Sequence, residues 1–120
     1  MRLVAAAAAL EALTGLVLAI SPSFVAWLLF GARLDAPGEA VGRVAGFALL
    51  SLALACWPAN VTTTTAASTR GLFLYNVLAA IFFLYLGLSH ALVGVILWPA
   101  VAVHGILSVL LARLLAVKTP

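Results

Sequence analysis

Four long apolar stretches, separated by short polar connections, occupy almost all of this 120-residue chain. Hydrophobic residues make up 67% of the sequence and charged residues only 8%, so a water-soluble domain of this size could not cover its own surface. An apolar stretch of roughly 20 residues is long enough to cross the hydrocarbon core of a bilayer as a helix. The sequence therefore predicts an all-α membrane protein without a soluble domain.

The predicted architecture is an up-down bundle of four transmembrane helices with a short interfacial helix after the first span. The spans are predicted at about residues 3–20, 39–57, 70–88 and 92–117, and the interfacial helix at about 22–30. A Ser21-Pro22 pair is typical of a helix start, and the aromatic residues that follow suit the headgroup region. One continuous helix kinked at Pro22 is the alternative.

The charges predict an orientation. Four crossings place both termini on one side of the membrane, and that side carries basic residues without acidic ones: Arg2, Arg70, Arg113 and Lys118. On the other side Asp35 and Glu39 offset Arg33 and Arg43. Because lysine and arginine favour the cytoplasmic side, we expect a bacterial inner-membrane protein with cytoplasmic termini. Charges scattered in this way do not suggest nucleic-acid binding.

Three polar side chains fall at a similar depth inside the predicted spans. At a rise of about 1.5 Å per residue, Glu11 lies roughly 13 Å from Arg2, and His104 lies about 13 Å from Arg113. Asn76 lies about 9 Å from Arg70 by the same rise. Ionisable groups are costly in hydrocarbon and mark functional sites. We expect Glu11 and His104 to form a proton-exchanging or ligand-binding pair.

Neighbouring residues extend this predicted polar layer. Tyr75 and Asn76 are expected to orient whatever Glu11 and His104 hold, and Ser51 could reach the same level from the second span. The competing interpretation is a set of interhelical hydrogen bonds that only fix the packing, each worth about 0.6 kcal/mol on average. The functional interpretation is favoured for Glu11, and the structural one for Asn76 and Ser51.

A glycine ridge occurs near the start of the second span. Gly38, Gly42 and Gly46 are spaced four residues apart, a pattern with which membrane helices pack closely. Arg43 lies within the ridge and follows Glu39 by four residues, the favourable order for a helical ion pair. An internal packing seam is favoured over a dimer or partner interface, since glycine is common in membrane helices.

The sequence contains no motif for a metal, a phosphate or a nucleophile, and it specifies no cofactor. Cys56 is the single cysteine, which excludes a multi-cysteine metal site. His90 falls in a predicted turn about 20 Å along a helix from His104, so one metal or haem could not use both. We therefore expect no metal site.

Four helices in a short chain, with Glu11 in the first span and Gly15 after it, resemble the small multidrug resistance transporters. In that family such a glutamate exchanges protons for cationic drugs, so the resemblance implies the same role for Glu11. Residues 72–88 depart from the aromatic pattern expected of that family in its third span, and the charge bias departs from dual topology. Membership is therefore not inferred.

These features rank three functions. The first is a non-enzymatic binding or accessory protein that packs with membrane partners and holds a small lipophilic ligand near Glu11 and His104, because little chain remains for extramembrane catalytic machinery. The second is a small oligomeric proton-coupled transporter that uses Glu11. The third is a quinone-reactive membrane subunit. The expected partners are membrane lipid and a second copy of the chain or a larger membrane complex.

Overall fold

A computed structural model describes residues 2–58 and 66–117. Within these ranges the chain forms five helices: α1 (Arg2–Ile20), α2 (Pro22–Phe30), α3 (Ala36–Cys56), α4 (Ala66–Ser89) and α5 (Leu97–Val117). All of them except α2 are long and apolar enough to cross a membrane. The predicted all-α fold, with four transmembrane helices and a short helix after the first, is confirmed.

The first two helices are separate. Ser21 joins them with φ −141° and ψ 76°, outside the helical region, and its side chain forms no capping hydrogen bond. Pro22 occupies the first turn of α2, where a missing N–H breaks no helical hydrogen bond. The alternative of one continuous helix kinked at Pro22 is therefore wrong. At the other end of α2, Gly31 has φ 70°, a conformation that favours glycine, and its N–H donates to the Trp27 carbonyl.

Side-chain capping explains why α3 begins earlier than residue 39, its predicted start. The Asp35 side chain accepts a hydrogen bond from the Gly38 N–H at 2.8 Å, and Pro37 lies in the first turn. An aspartate cap stabilises the unpaired donors of a helix N-terminus. The helix therefore includes Ala36, Pro37 and Gly38, which precede the predicted start.

The helices form two closely packed pairs, α1 with α3 and α4 with α5. The pairs meet at the end of the bundle where α1 begins and α5 ends. Here a cluster of buried side chains joins all four spans: Val4, Ala7, Cys56, Leu72 and Leu111. The first residues of α1 and the last turns of α5 consequently lie on the same side of the bundle.

At the opposite end, α2 is joined to the connection between α4 and α5. The Gly94 N–H donates to the Leu29 carbonyl at 2.8 Å, and the Ile96 N–H donates to the Leu28 carbonyl at 3.0 Å. These residues bond to α2 instead of continuing a helix, so α5 begins at Leu97 and not at residue 92. We call this pair of backbone bonds the α2 clasp.

Large apolar side chains cover the outside of the bundle. On α3 alone, Val44, Phe47 and Leu54 are 65%, 57% and 77% exposed. A soluble protein rarely exposes so much contiguous apolar surface, whereas in a bilayer the same surface faces lipid tails. The exposure pattern fits an integral membrane protein.

Candidate functional site

Glu11 is buried in the middle of α1, with only 1% of its surface exposed. Ala7, Ala8 and Gly15 are buried on the same face of the helix, and these small residues let neighbouring helices approach the carboxyl group. Neither carboxyl oxygen has a hydrogen-bond partner among the described residues. A buried polar group without a partner is costly and calls for an explanation.

Asn76 and His104 form the hydrogen bond that links the second helix pair at this depth. His104 Nδ1 lies 2.7 Å from Asn76 Oδ1, and Asn76 Nδ2 donates to the Leu72 carbonyl one turn earlier in α4, at 2.8 Å. Asn76 is fully buried. Both ends of its amide are therefore engaged inside the bundle.

Asn76 stands between the two residues that were predicted to pair. Its amide group lies near the Glu11 carboxyl without forming a well-directed hydrogen bond to it, while its oxygen binds His104. No ion pair or hydrogen bond joins Glu11 directly to His104 within residues 2–58 and 66–117. The three side chains that were placed at one depth by counting do lie together, in the order Glu11, Asn76, His104.

Two aromatic rings fix the position of the imidazole. The centroid of the Tyr75 ring lies 5.9 Å from that of His104 in an edge-to-face arrangement, and the Phe83 ring lies 5.6 Å away at an angle of 56°. Such ring pairs are stabilising at these distances. Tyr75 and Phe83 are eight residues apart, hence on one face of α4, a spacing that could have identified Phe83 from the sequence.

Ser51 is not part of this group. Its side chain is exposed and donates to the Phe47 carbonyl of its own helix at 2.8 Å. The buried face of α3 is formed instead by Gly46, Leu49 and Ala53, which follow one another at helical spacing. Ser51 falls between these positions and consequently points away from α1.

A cavity of about 740 Å³ lies beside the polar group. Its walls are mostly apolar and come from all five helices, and its polar side chains are those of Thr14, Tyr75 and His104. Thr14 was not among the predicted site residues, although it follows Glu11 by three positions and shares its helix face. The volume lies within the range of about 300–1,000 Å³ that is typical of small-molecule sites.

The cavity opens to the side of the bundle. In the described part of the chain the backbones of α3 and α5 do not pack closely against each other, and lining residues from both are exposed: Val41 by 70% and Val103 by 42%. These residues lie roughly 8 to 9 Å along their helices from Ala36 and Leu97, at about 1.5 Å per residue. In a bilayer crossed by these helices, an opening at that depth would face hydrocarbon.

The glycine ridge of α3 packs against other segments of the same chain. A Cβ on Gly46 would lie 2.5 Å from the Ala19 nitrogen and 2.7 Å from the Gly15 oxygen, and a Cβ on Gly42 would lie 2.6 Å from the Pro22 side chain. Gly38 packs on Asp35 and Leu34 of its own connection. The geometry corresponds to the internal packing seam and leaves little of the ridge free for a partner.

Arg43 caps the end of α1. Its Nη1 donates to the Ala19 carbonyl at 3.0 Å and to the Ile20 carbonyl at 3.3 Å. Its Nη2 lies 3.7 Å from the Glu39 carboxylate, which also accepts a hydrogen bond of 2.7 Å from Ser23. A cation at a helix C-terminus satisfies unpaired carbonyls and the negative end of the dipole, so this network connects α1, α2 and α3.

His90 lies in the exposed turn after α4 with φ 53°. Across the two described ranges, no group of three or more His, Cys, Asp and Glu residues could hold a metal ion. No family model, no curated protein and no solved structure matches this chain. The geometry of the cavity and its polar group is therefore the basis for a functional proposal.

Proposed function

We propose that this protein binds a lipophilic small molecule with a polar head, which enters from the membrane and is held in the cavity beside His104. One observation carries the proposal: an apolar cavity between the apolar spans is lined by a few polar side chains close to one another. Binding sites for small molecules combine mostly apolar walls with a few polar groups that fix orientation. Here Thr14, Tyr75 and His104 supply the polar groups.

The unpartnered Glu11 carboxyl supports a functional interpretation of this region. Evolution rarely retains a buried ionisable group in a membrane span for packing alone, and Asn76 places Glu11 one side chain away from His104. The glycine ridge supports ligand binding over partner docking, because α1 and α2 already cover most of it. The proposal therefore rests on the cavity and not on a subunit interface.

Energy transfer from the tryptophans to a pyrene-labelled long-chain alcohol would test the proposal. Ala100 lines the cavity, so Ala100→Phe should fill part of it and weaken saturable binding by about tenfold, roughly 1.4 kcal/mol. Ala102 is exposed on the same helix and does not line the cavity, so Ala102→Phe is the matched control. Absence of saturable transfer, or equal losses in both variants, would contradict the proposal.

The second candidate is a proton-coupled transporter, favoured by the burial of Glu11 in mid-span. The chain would be reconstituted into vesicles and given a pH gradient, with tetraphenylphosphonium as the probe. A transporter should accumulate the cation in a gradient-dependent way, and Glu11→Gln should abolish the uptake. Uptake that is equal in the variant and in the original chain would reject this role for Glu11.

We also propose that the chain lies in a bacterial inner membrane with its termini in the cytoplasm. The described cations Arg2 and Arg113 lie near the end of the bundle where α1 begins and α5 ends, and positive charge favours the cytoplasmic side. A C-terminal fluorescent-protein fusion should be fluorescent and a C-terminal alkaline phosphatase fusion inactive. The reverse pattern would place the termini outside.

A further inference from the structure

We infer that the bound molecule is a neutral lipid that carries a hydroxyl group, and that this hydroxyl donates a hydrogen bond to His104 Nε2. The inference rests on the proposed function, since it names the chemistry of the cavity's ligand. It follows from the direction of the hydrogen bond between α4 and α5. That direction leaves one ring nitrogen of His104 free to accept a hydrogen bond from a ligand in the cavity.

The donor and acceptor of each hydrogen bond can be assigned by starting at the Leu72 backbone carbonyl. The Leu72 carbonyl can only accept, so the atom of Asn76 that lies 2.8 Å from it must be the amide nitrogen. The other end of the amide, which faces His104 at 2.7 Å, is then the oxygen. An amide oxygen can only accept, so His104 Nδ1 must carry the hydrogen.

The second ring nitrogen is thereby assigned as an acceptor. In a neutral imidazole one nitrogen donates and the other accepts, and no carboxylate accepts from the His104 ring within the described ranges. His104 lines the cavity, whereas Asn76 is fully buried and does not line it. Nε2 is consequently the nitrogen that is left to face a ligand.

This assignment selects among lipid head groups. Thr14 and Tyr75 also line the cavity, and their hydroxyl groups can either donate or accept, whereas Nε2 can only accept. A ligand without a donor would leave Nε2 desolvated and unpaired, which costs free energy. An alcohol satisfies it, and the hydroxyl group of a quinol would do the same; an ether or an ionised carboxylate cannot.

Nitrogen NMR tests the assignment without a ligand. His90 and His104 are the two histidines of the chain, so a His90→Gln variant labelled with ¹⁵N-histidine reports on His104 alone. We expect one protonated nitrogen, Nδ1, and one unprotonated nitrogen, Nε2, and we expect Asn76→Leu to change this pattern. A ring protonated at Nε2, or at both nitrogens, would overturn the inference.

Competition against the pyrene-labelled alcohol tests the ligand class. 1-Hexadecanol should displace the probe at a concentration about tenfold lower than its methyl ether, since a net hydrogen bond of about 1 kcal/mol corresponds to several-fold in affinity and desolvation adds to it. His104→Phe should bring the two competitors to similar affinity. Ubiquinol-1 and ubiquinone-1 form the second arm, in which preferential displacement by the quinol identifies a quinol as the source of the hydroxyl.

The outcomes separate this inference from the proposed function. If the alcohol and the ether compete equally in the original chain while Ala100→Phe weakens both, the cavity binds lipophilic molecules and the hydroxyl preference is wrong. If no probe binds saturably, the proposed function itself fails. If the preference for the alcohol over the ether persists in His104→Phe, another group binds the hydroxyl and the role of Nε2 is rejected.

Discussion

His104 and Asn76 join α5 to α4 through a hydrogen bond of 2.7 Å in the interior of the bundle. The same amide bonds Leu72 in its own helix and lies against the Glu11 carboxyl of α1. The Asn76 side chain thus lies between α1, α4 and α5 at the level where the cavity ends. The arrangement is both a packing element and the support of a polar site.

The Asn76→Leu variant should lower stability because it leaves His104 Nδ1–H without its acceptor. Interhelical hydrogen bonds in membranes contribute about 0.6 kcal/mol on average and about 1.7 kcal/mol at most, so we expect a loss within that range. Unfolding in mixed micelles with increasing SDS measures it by circular dichroism. Ser51→Ala is the control, because Ser51 is exposed and bonds only within α3; equal effects of the two variants would contradict the prediction.

Replacement of Glu11 by an apolar side chain should increase stability. Both carboxyl oxygens are buried without a hydrogen-bond partner among the described residues, and the desolvation cost of such a group is about 1 to 3 kcal/mol. Glu11→Met should therefore raise the free energy of unfolding by roughly 1 kcal/mol, measured by SDS unfolding, while it weakens the binding or proton exchange proposed for the site. A variant that is more stable but functions less well is the expected result where the original residue serves function and not stability. A destabilised Glu11→Met variant would show that the carboxyl has a structural partner.

The contact between α1 and α3 should tolerate no added side chain at Gly46. An added Cβ would meet the backbone of Ala19 and Gly15 at 2.7 Å or less, so the two helices must move apart. Overpacking of this kind costs about 1 to 3 kcal/mol. Gly105→Ala is the matched control, because nothing lies within 4 Å of its added Cβ. Similar melting temperatures for Gly46→Ala and Gly105→Ala would contradict the packing described here.

Hydrogen exchange should reveal the α2 clasp. The Gly94 and Ile96 amides donate to α2 carbonyls, so they should exchange at least about tenfold more slowly than the Ala91 amide in the same connection, as expected for bonded amides. A Cβ at Gly94 would overlap the Leu28 carbonyl oxygen. The Gly94→Ala variant should accordingly lose protection at Ile96. Unchanged protection in that variant would show that the clasp adapts to the added methyl group.

The membrane fold could be predicted because a single physical requirement dominates it. Backbone groups in hydrocarbon must bond internally, so each long apolar stretch becomes a helix, and the four spans followed from hydropathy alone. Boundaries were less accurate where polar contacts decide them. The Asp35 cap extends α3 toward the N-terminus, and the α2 clasp delays α5; neither contact is visible in hydropathy.

The depth of the candidate polar residues in the membrane could be predicted from the sequence, but the contacts between their side chains could not. Counting residues placed Glu11, Asn76 and His104 at one level, because helical rise is constant. Which side chains touch depends on how each helix is rotated and which pairs pack closely. Close packing of α3 on α1 through Gly46 turned Ser51 outward, and the position of Asn76 between Glu11 and His104 replaced a direct pair. The cavity itself lies beside α3 and α5, whose backbones do not pack closely, and no local sequence pattern encodes that separation.

The α2 clasp has a consequence for which molecules can reach His104. Leu29 and Ile96 line the cavity, and the clasp holds the segments that carry them together by two backbone bonds. At that end the clasp joins α2 to the connection before α5, and we expect a ligand to enter instead through the flank between α3 and α5. Occupancy of the site should then follow the mole fraction of the ligand in the bilayer and not its concentration in water. We therefore expect a solute that does not partition into lipid to bind poorly.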